Sequence, residues 1–134
     1  MKIISVIPAR GGSKGIKNKN IVKINSKPLI YFSIKQSLKT KLIQRTIVST
    51  DSKKIAKISR QCGAEVPFLR PKSISNDAAK DYSFFSHLIK WLKKNENYTP
   101  DLIVQLRPTQ PFRSIKLLQK AIELMIKDKK ADSL

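Results

Sequence analysis

Short apolar runs of four to six residues alternate along this chain with longer segments of helical period. That alternation constrains the fold more than any other feature, because it is the pattern of β/α units: strands gathered into one sheet with helices laid over it. The spacing predicts strands over residues 2–7, 45–49 and 101–106, a short one near 65–68 and a last one over 131–134. Helices are predicted over 28–39, 53–62, 81–94 and 114–127. Pro28 suits a first helical turn, Asp51 and Ser52 suit the cap of the next helix, and Gly63 stands where a helix should end. In the third helix Phe85, Leu88 and Leu92 share a face that Phe84, Ile89 and Trp91 widen, which is core packing. At 134 residues the chain is expected to form one domain over 1–134 around one core.

Composition narrows the class. No run of about 18 apolar residues is present to span a membrane, and "MKIISVIPARGG" carries no cleavage pattern behind its apolar run, so a cytoplasmic protein is expected. Cys62 is the single cysteine, which excludes an internal disulfide framework and a cysteine-based zinc site. Against 28 basic residues stand only 9 acidic ones, a net charge of +19. A charge of that size fits a nucleic-acid binder, a surface that draws in a phosphate substrate, or a compositional bias toward lysine. The lysines are scattered through every segment and most aromatics fall on a core face, which argues against nucleic acid as the partner.

Three of the four glycines lie within five positions of "IPARGGSKGIKNKNI", directly after the first predicted strand and among Arg10, Lys14, Lys17 and Lys19. No Gly-Lys-Ser/Thr closes the loop and no Gly-x-Gly opens it, so it is neither a Walker A loop nor a dinucleotide fingerprint. Gly11, Gly12 and Gly15 nevertheless allow backbone N–H groups to turn toward an anion. Lys14 and Lys19 add point charges, and Arg10 adds a planar fork suited to phosphate oxygens. A solvated basic turn is the plain alternative.

Two further stretches follow predicted strands, where open α/β sheets bind their ligands. "VQLRPTQPFRS" carries Arg107, Thr109, Gln110 and Arg113, and "IVSTD" ends at Asp51. In "FLRPKSISNDAAKD", Pro71 makes a turn, and Asn76 or Asp77 suits the cap of the third helix. His87, the only histidine, has no acidic, cysteine or serine partner at a telling spacing and reads as structural.

Taken in order, "IPARGGSKGIKNKNI", "IVSTDS", "GAEVPFLRP", "SNDAAKD" and "LRPTQPFR" resemble the acylneuraminate cytidylyltransferase family over nearly the whole chain. The resemblance implies an α/β fold, a Rossmann-like three-layer α/β/α sandwich of the nucleotide-diphospho-sugar transferase type. It implies coupling of CTP to an acidic nine-carbon sugar, with release of pyrophosphate. Arg10 and Lys19 would be catalytic. Arg10, Gly11, Gly12, Ser13, Lys14, Lys19, Asn20, Arg70, Ala79 and Asp81 would bind the nucleotide, and Arg107, Thr109 and Gln110 would face the acceptor. Typical members have glutamine at the position of Arg107, serine at that of Gln110 and a small residue at that of Asp81, so the acceptor stays open. Family enzymes are longer; the part that supplies the Mg²⁺ ligands and the homodimer contact has no counterpart here. The chain is accordingly expected to be the C-terminally truncated, nucleotide-binding portion of such an enzyme, with little turnover alone. A non-catalytic nucleotide- or phosphate-binding module is the alternative.

Overall fold

The computed structural model describes residues 1–12, 15, 16 and 18–134. The apolar run after the initiating methionine and lysine forms β1, Ile3–Pro8, the central strand of a parallel sheet. On one side it pairs with β4, Arg45–Ser49, from Ile4 opposite Arg45 to Pro8 opposite Ser49. On the other it pairs with β5, Leu102–Gln105, from Ile3 opposite Leu102 to Val6 opposite Gln105. A small antiparallel hairpin, β2 (Lys23–Ile24) and β3 (Lys27–Pro28), lies between β1 and the first helix.

The helices are α1, Leu29–Lys39; α2, Lys53–Gln61; α3, Asp81–Glu96; and α4, Ile115–Lys127. Strand side chains alternate between the two faces of the sheet. Ile7 and Val48 pack with Ile30 and Ile34 of α1 and Ile55 of α2, and Val104 and Leu118 of α4 join them. Ile4, Val6 and Ile47 pack against Phe84, Leu88 and Leu92 of α3. The result is a three-layer α/β/α sandwich. Its α1 side also holds a buried hydroxyl chain in which Ser37 Oγ shares 2.6 Å hydrogen bonds with Ser5 Oγ and Thr46 Oγ1. That chain ties α1 to both β1 and β4.

Several expectations need correction. No strand forms over 65–68: Glu65 makes one parallel bridge with Ile47, donating to Thr46 O at 2.8 Å and accepting from Val48 N at 2.9 Å. The next residue whose N–H would face β4 is Pro67, which has none, so the ladder stops. No strand forms over 131–134 either. Asp128 turns the chain there, its side chain accepting from Lys130 N at 3.0 Å and its carbonyl from Ala131 N at 3.2 Å. Pro28 sits just before α1 rather than inside its first turn, because it closes the hairpin opposite Lys23. That hairpin turns on Asn25 and Ser26, with φ of 49° and 65°, the left-handed pair that a two-residue connection requires. Asn76 does not cap α3; its Oδ1 accepts from Ala78 N at 3.0 Å in a local turn.

Candidate functional site

The chain passes from β1 to β4 on one side of the sheet and then crosses to β5 on the other, so strand order reverses between β1 and β5. Loops leaving neighbouring strands in opposite directions open a crevice at their carboxyl ends. A cleft of about 230 Å³ lies there. Arg10, Lys19 and Asn20 reach it from the segment after β1, and Arg70 from the segment after β4. Ala79, Asp81 and Phe84 come from the approach to α3 and its first turn, and Arg107, Pro108 and Thr109 from the loop after β5.

The structure therefore brings together Arg10, Lys19, Asn20, Arg70, Ala79, Asp81, Arg107 and Thr109. Ser13 and Lys14, with Lys17, lie outside the described residues. Gly11 and Gly12 do not line the cleft. Gly11 N donates to Asp51 Oδ1 at 2.7 Å, and a Cβ there would meet Ser52 Cβ at 3.1 Å. Glycine at 11 thus lets the β1 loop lie against the start of α2, and its N–H is engaged by the chain's own carboxylate rather than turned into the cleft. Ser52 is the cap of α2, accepting from Ile55 N at 3.2 Å, which leaves Asp51 for this clamp. Gly15, at φ 82°, needs the conformational freedom of glycine. Gln110 also lies off the cleft, its Oε1 accepting from Arg113 Nη2 at 3.2 Å.

Each cation is positioned by a different device. Arg10 is held by an ion pair from Nη1 to Asp77 and by Asn20, a buried side chain whose Nδ2 donates to Arg10 O at 3.1 Å. Arg107 Nη2 pairs with Asp81, to which Gln105 Nε2 also donates at 3.4 Å. Arg70 is 94% buried by its 6% residual exposure and has no carboxylate partner among the described residues. Its Nη2 donates to Ser49 O at 2.7 Å, its guanidinium lies 5.3 Å from the centre of the Phe84 ring, and its Nε has no partner among the described residues. Burial lowers its pKa from the ordinary arginine value, opposed in part by Asp51. A buried, incompletely bonded cation lining a cleft has hydrogen-bonding capacity that an anion would complete. Sequence reading missed Asp77 as the partner of Arg10 and Phe84 as the surface under Arg70. Neither has a local signal, since both partners meet only across the fold.

His87 packs edge-on against Phe68, ring centres 4.6 Å apart, with a buried Nδ1 that has no partner among the described residues. Burial, then the nearby Arg70 charge, hold its pKa below the ordinary histidine value. The unfolded chain therefore binds this proton more readily than the folded one. The stability from a neutral His87 is complete above about pH 7 and is lost as pH falls below about 6.5, toward the depressed folded value. The expected result is a melting-temperature gap between wild type and His87→Phe that moves in favour of the variant between about pH 7.5 and 5.5. A gap independent of pH would show that His87 is not kept neutral.

Asp77 and Asp81 are the carboxylates that border the cleft, where the Mg²⁺ implied by the resemblance would need oxygen ligands. Among the described residues no three histidine, cysteine, aspartate or glutamate side chains converge, and Asp77 and Asp81 are engaged by Arg10 and Arg107. No helix among them is long and apolar enough to cross a membrane.

A parallel sheet between two helical layers, with a cleft rich in cations at its switch point, defines an open α/β protein of Rossmann-like class. The fold is shared with the CTP complex of CMP:2-keto-3-deoxy-manno-octonic acid synthetase, at a TM-score of 0.77 and 22% identity over 97% of this chain and 49% of that one. Residues 4–133 match the family model described as cytidylyltransferase, and the chain belongs to that family. It is 35% identical to N-acylneuraminate cytidylyltransferase of Escherichia coli over 92% of its own length and 28% of that protein. It is 34% identical to pseudaminic acid cytidylyltransferase of Campylobacter jejuni over 96% of its own length and 55% of that protein. The chain thus spans about half, or less, of the length of these relatives.

Proposed function

We propose that this chain forms the nucleotide-binding portion of an enzyme that activates a nonulosonic, sialic-type acid with CTP, giving the CMP-sugar and pyrophosphate. The observation that carries the reading is the convergence of Arg10, Lys19 and Arg70 on one cleft at the switch point, in a chain whose relatives bear cytidylyltransferase names. In such a reaction an acceptor hydroxyl attacks the α-phosphate in line and pyrophosphate leaves, so the protein contributes position and charge rather than a covalent intermediate. Arg10 and Lys19, the catalytic residues of this reading, neutralise the phosphates from the β1 side. Asn20 fixes the Arg10 backbone, and Arg70 completes its hydrogen bonding on the nucleotide. Ala79 and the start of α3 border the nucleoside, and Arg107 and Thr109 border the acceptor.

Titration calorimetry with CTP and GTP tests this. Saturable CTP binding is expected, with GTP at least about tenfold weaker, and Lys19→Ala should weaken CTP by about five- to tenfold. Equal binding of the two nucleotides, or none, overturns the reading. A steeply salt-dependent affinity for duplex DNA without a CTP preference would favour a basic nucleic-acid binder instead. CTP binding without pyrophosphate release from CTP and N-acetylneuraminate would mark a binding module.

A further inference from the structure

A second concavity, a groove of about 540 Å³, is bounded by the β2–β3 hairpin, α1 and the last turn of α2, and none of its residues lines the cleft. Three lysines meet on it. Lys23 stands opposite Pro28 in the hairpin, Lys27 lies in β3, and Lys35 follows Tyr31 by one turn of α1. The Tyr31 ring positions two of them, with Lys27 Nζ 5.2 Å and Lys35 Nζ 5.6 Å from its centre. A ring holds a cation without neutralising it, unlike the carboxylate that pairs with Arg10. No carboxylate lines the groove, and none of the three lysines forms an ion pair among the described residues. Ile21, Pro28 and Ile58 supply an apolar lining, and Cys62 borders the same space. Burial raises the pKa of its thiol while Lys35 and Lys27 oppose the rise, so both charges act on the sulfur.

We propose that this groove is a second anion site that takes a small phosphomonoester, its phosphate on the ammonium groups of Lys23, Lys27 and Lys35 and its organic body over Ile21, Pro28 and Ile58. Each ammonium offers three rotatable donors, and the Ser26 hydroxyl stands beside them. That set matches the three terminal oxygens and nearly double charge of a phosphomonoester better than the two oxygens and single charge of a carboxylate. The apolar lining favours an organic phosphate over the inorganic ion, and the volume lies within the range of small-ligand sites. Ammonium groups already placed against a ring lose less freedom when a ligand arrives. The two concavities share no residue, so the inference stands apart from the nucleotide reading.

Cys62, the single cysteine, reports on the groove. Phenyl phosphate is the probe, and the rate at which iodoacetamide, an uncharged reagent, alkylates Cys62 is the readout. A bound phosphate covers the sulfur and offsets the lysine charges that favour thiolate, so alkylation should slow at least about threefold, saturably, with half the effect near about 1 mM. Inorganic phosphate, which lacks the apolar body, should need about five- to tenfold more. Potassium chloride at matched ionic strength should give no saturable effect. The Lys27→Gln, Lys35→Gln double variant, its melting temperature checked first, should need about five- to tenfold more phenyl phosphate than wild type. Lys19→Ala, a change in the cleft, should behave as wild type. Backbone amide shifts in a nuclear magnetic resonance titration of wild type read the same seat without the thiol, and should be saturable and largest at Tyr31, Lys35 and Gln61. An equal slowing by potassium chloride, protection that survives the lysine changes or vanishes in Lys19→Ala, or shifts centred on the cleft overturns the proposal. Protection by a single-stranded oligonucleotide but not by phenyl phosphate also overturns it, and would make the groove part of a nucleic-acid surface.

Discussion

Replacing Arg70 by methionine is expected to leave the protein as stable as wild type, within about 1 kcal/mol, or more stable, while weakening CTP by at least about tenfold. The two effects separate because the arginine serves folding poorly. Its charge is almost fully removed from water, Asp51 compensates it only in part, and its Nε has no partner among the described residues. Burial accordingly pushes its pKa down, a sign that the folded environment disfavours the charged form. Methionine fills a similar volume and keeps a favourable contact with the Phe84 ring. The loss is the hydrogen bond to Ser49 O, worth about 1–3 kcal/mol gross, which removal of the charge offsets. A ligand phosphate is what would complete the guanidinium, so binding should suffer most. Thermal unfolding and calorimetry on the same preparation decide it. A large fall in melting temperature with CTP affinity intact would make Arg70 a structural residue.

The architecture was legible because its signal is local. The run over 2–7, the β-branched 45–49 and the apolar 101–106 each read as strands from their own residues, and each forms one. The helices were placed to within two residues by period and caps, Ser52 among them, and Ser114, read as the first residue of α4, is its cap. What failed depended on partners or on a missing donor. Strand propensity around Glu65 was real, but Pro67 has no N–H for the ladder. The hairpin at 23–28 escaped notice because Asn25 and Ser26 take left-handed backbone without the glycine that usually announces such a turn.

The candidate site divides the same way. The placement of cations after strand ends follows from chain order, so Arg10, Lys19 and Arg107 could be nominated one by one. Their neutralisation could not, because Asp77 and Asp81 meet them only across the cleft. The glycine cluster shows the opposite error: a local pattern suggested anion-facing N–H groups at Gly11, and tertiary packing against Asp51 and Ser52 gave that glycine a different task. Arg113, directly before the Ser114 cap of α4, has no ion pair among the described residues and bonds neutral oxygens instead.

Arg113 joins the loop after β5 to α1. Its Nη1 donates to Ser33 Oγ at 3.2 Å and Gln36 Oε1 at 3.1 Å, and its Nη2 donates to Arg107 O at 2.7 Å and Gln110 Oε1 at 3.2 Å. Gln36 Nε2 adds a 2.6 Å bond to Pro111 O. One guanidinium thus holds both ends of a loop that carries Arg107 and Thr109 into the cleft. Arg113→Ala is expected to cost about 2–3 kcal/mol, since hydrogen bonds from a charged donor are lost and partly buried acceptors stay behind. Arg113→Lys should recover little, because an ammonium cannot reproduce a planar fork that serves four oxygens at once. Urea unfolding reads the stability, and amide exchange should quicken at Gln110, whose N–H bonds Arg107 O within the loop at 3.1 Å. CTP affinity should change less than about threefold, since Arg10 and Arg70 are held by other residues and Lys19 stands on the segment after β1. Unchanged urea midpoints in both variants would mean that Ser33 and Gln36 hold the loop without Arg113.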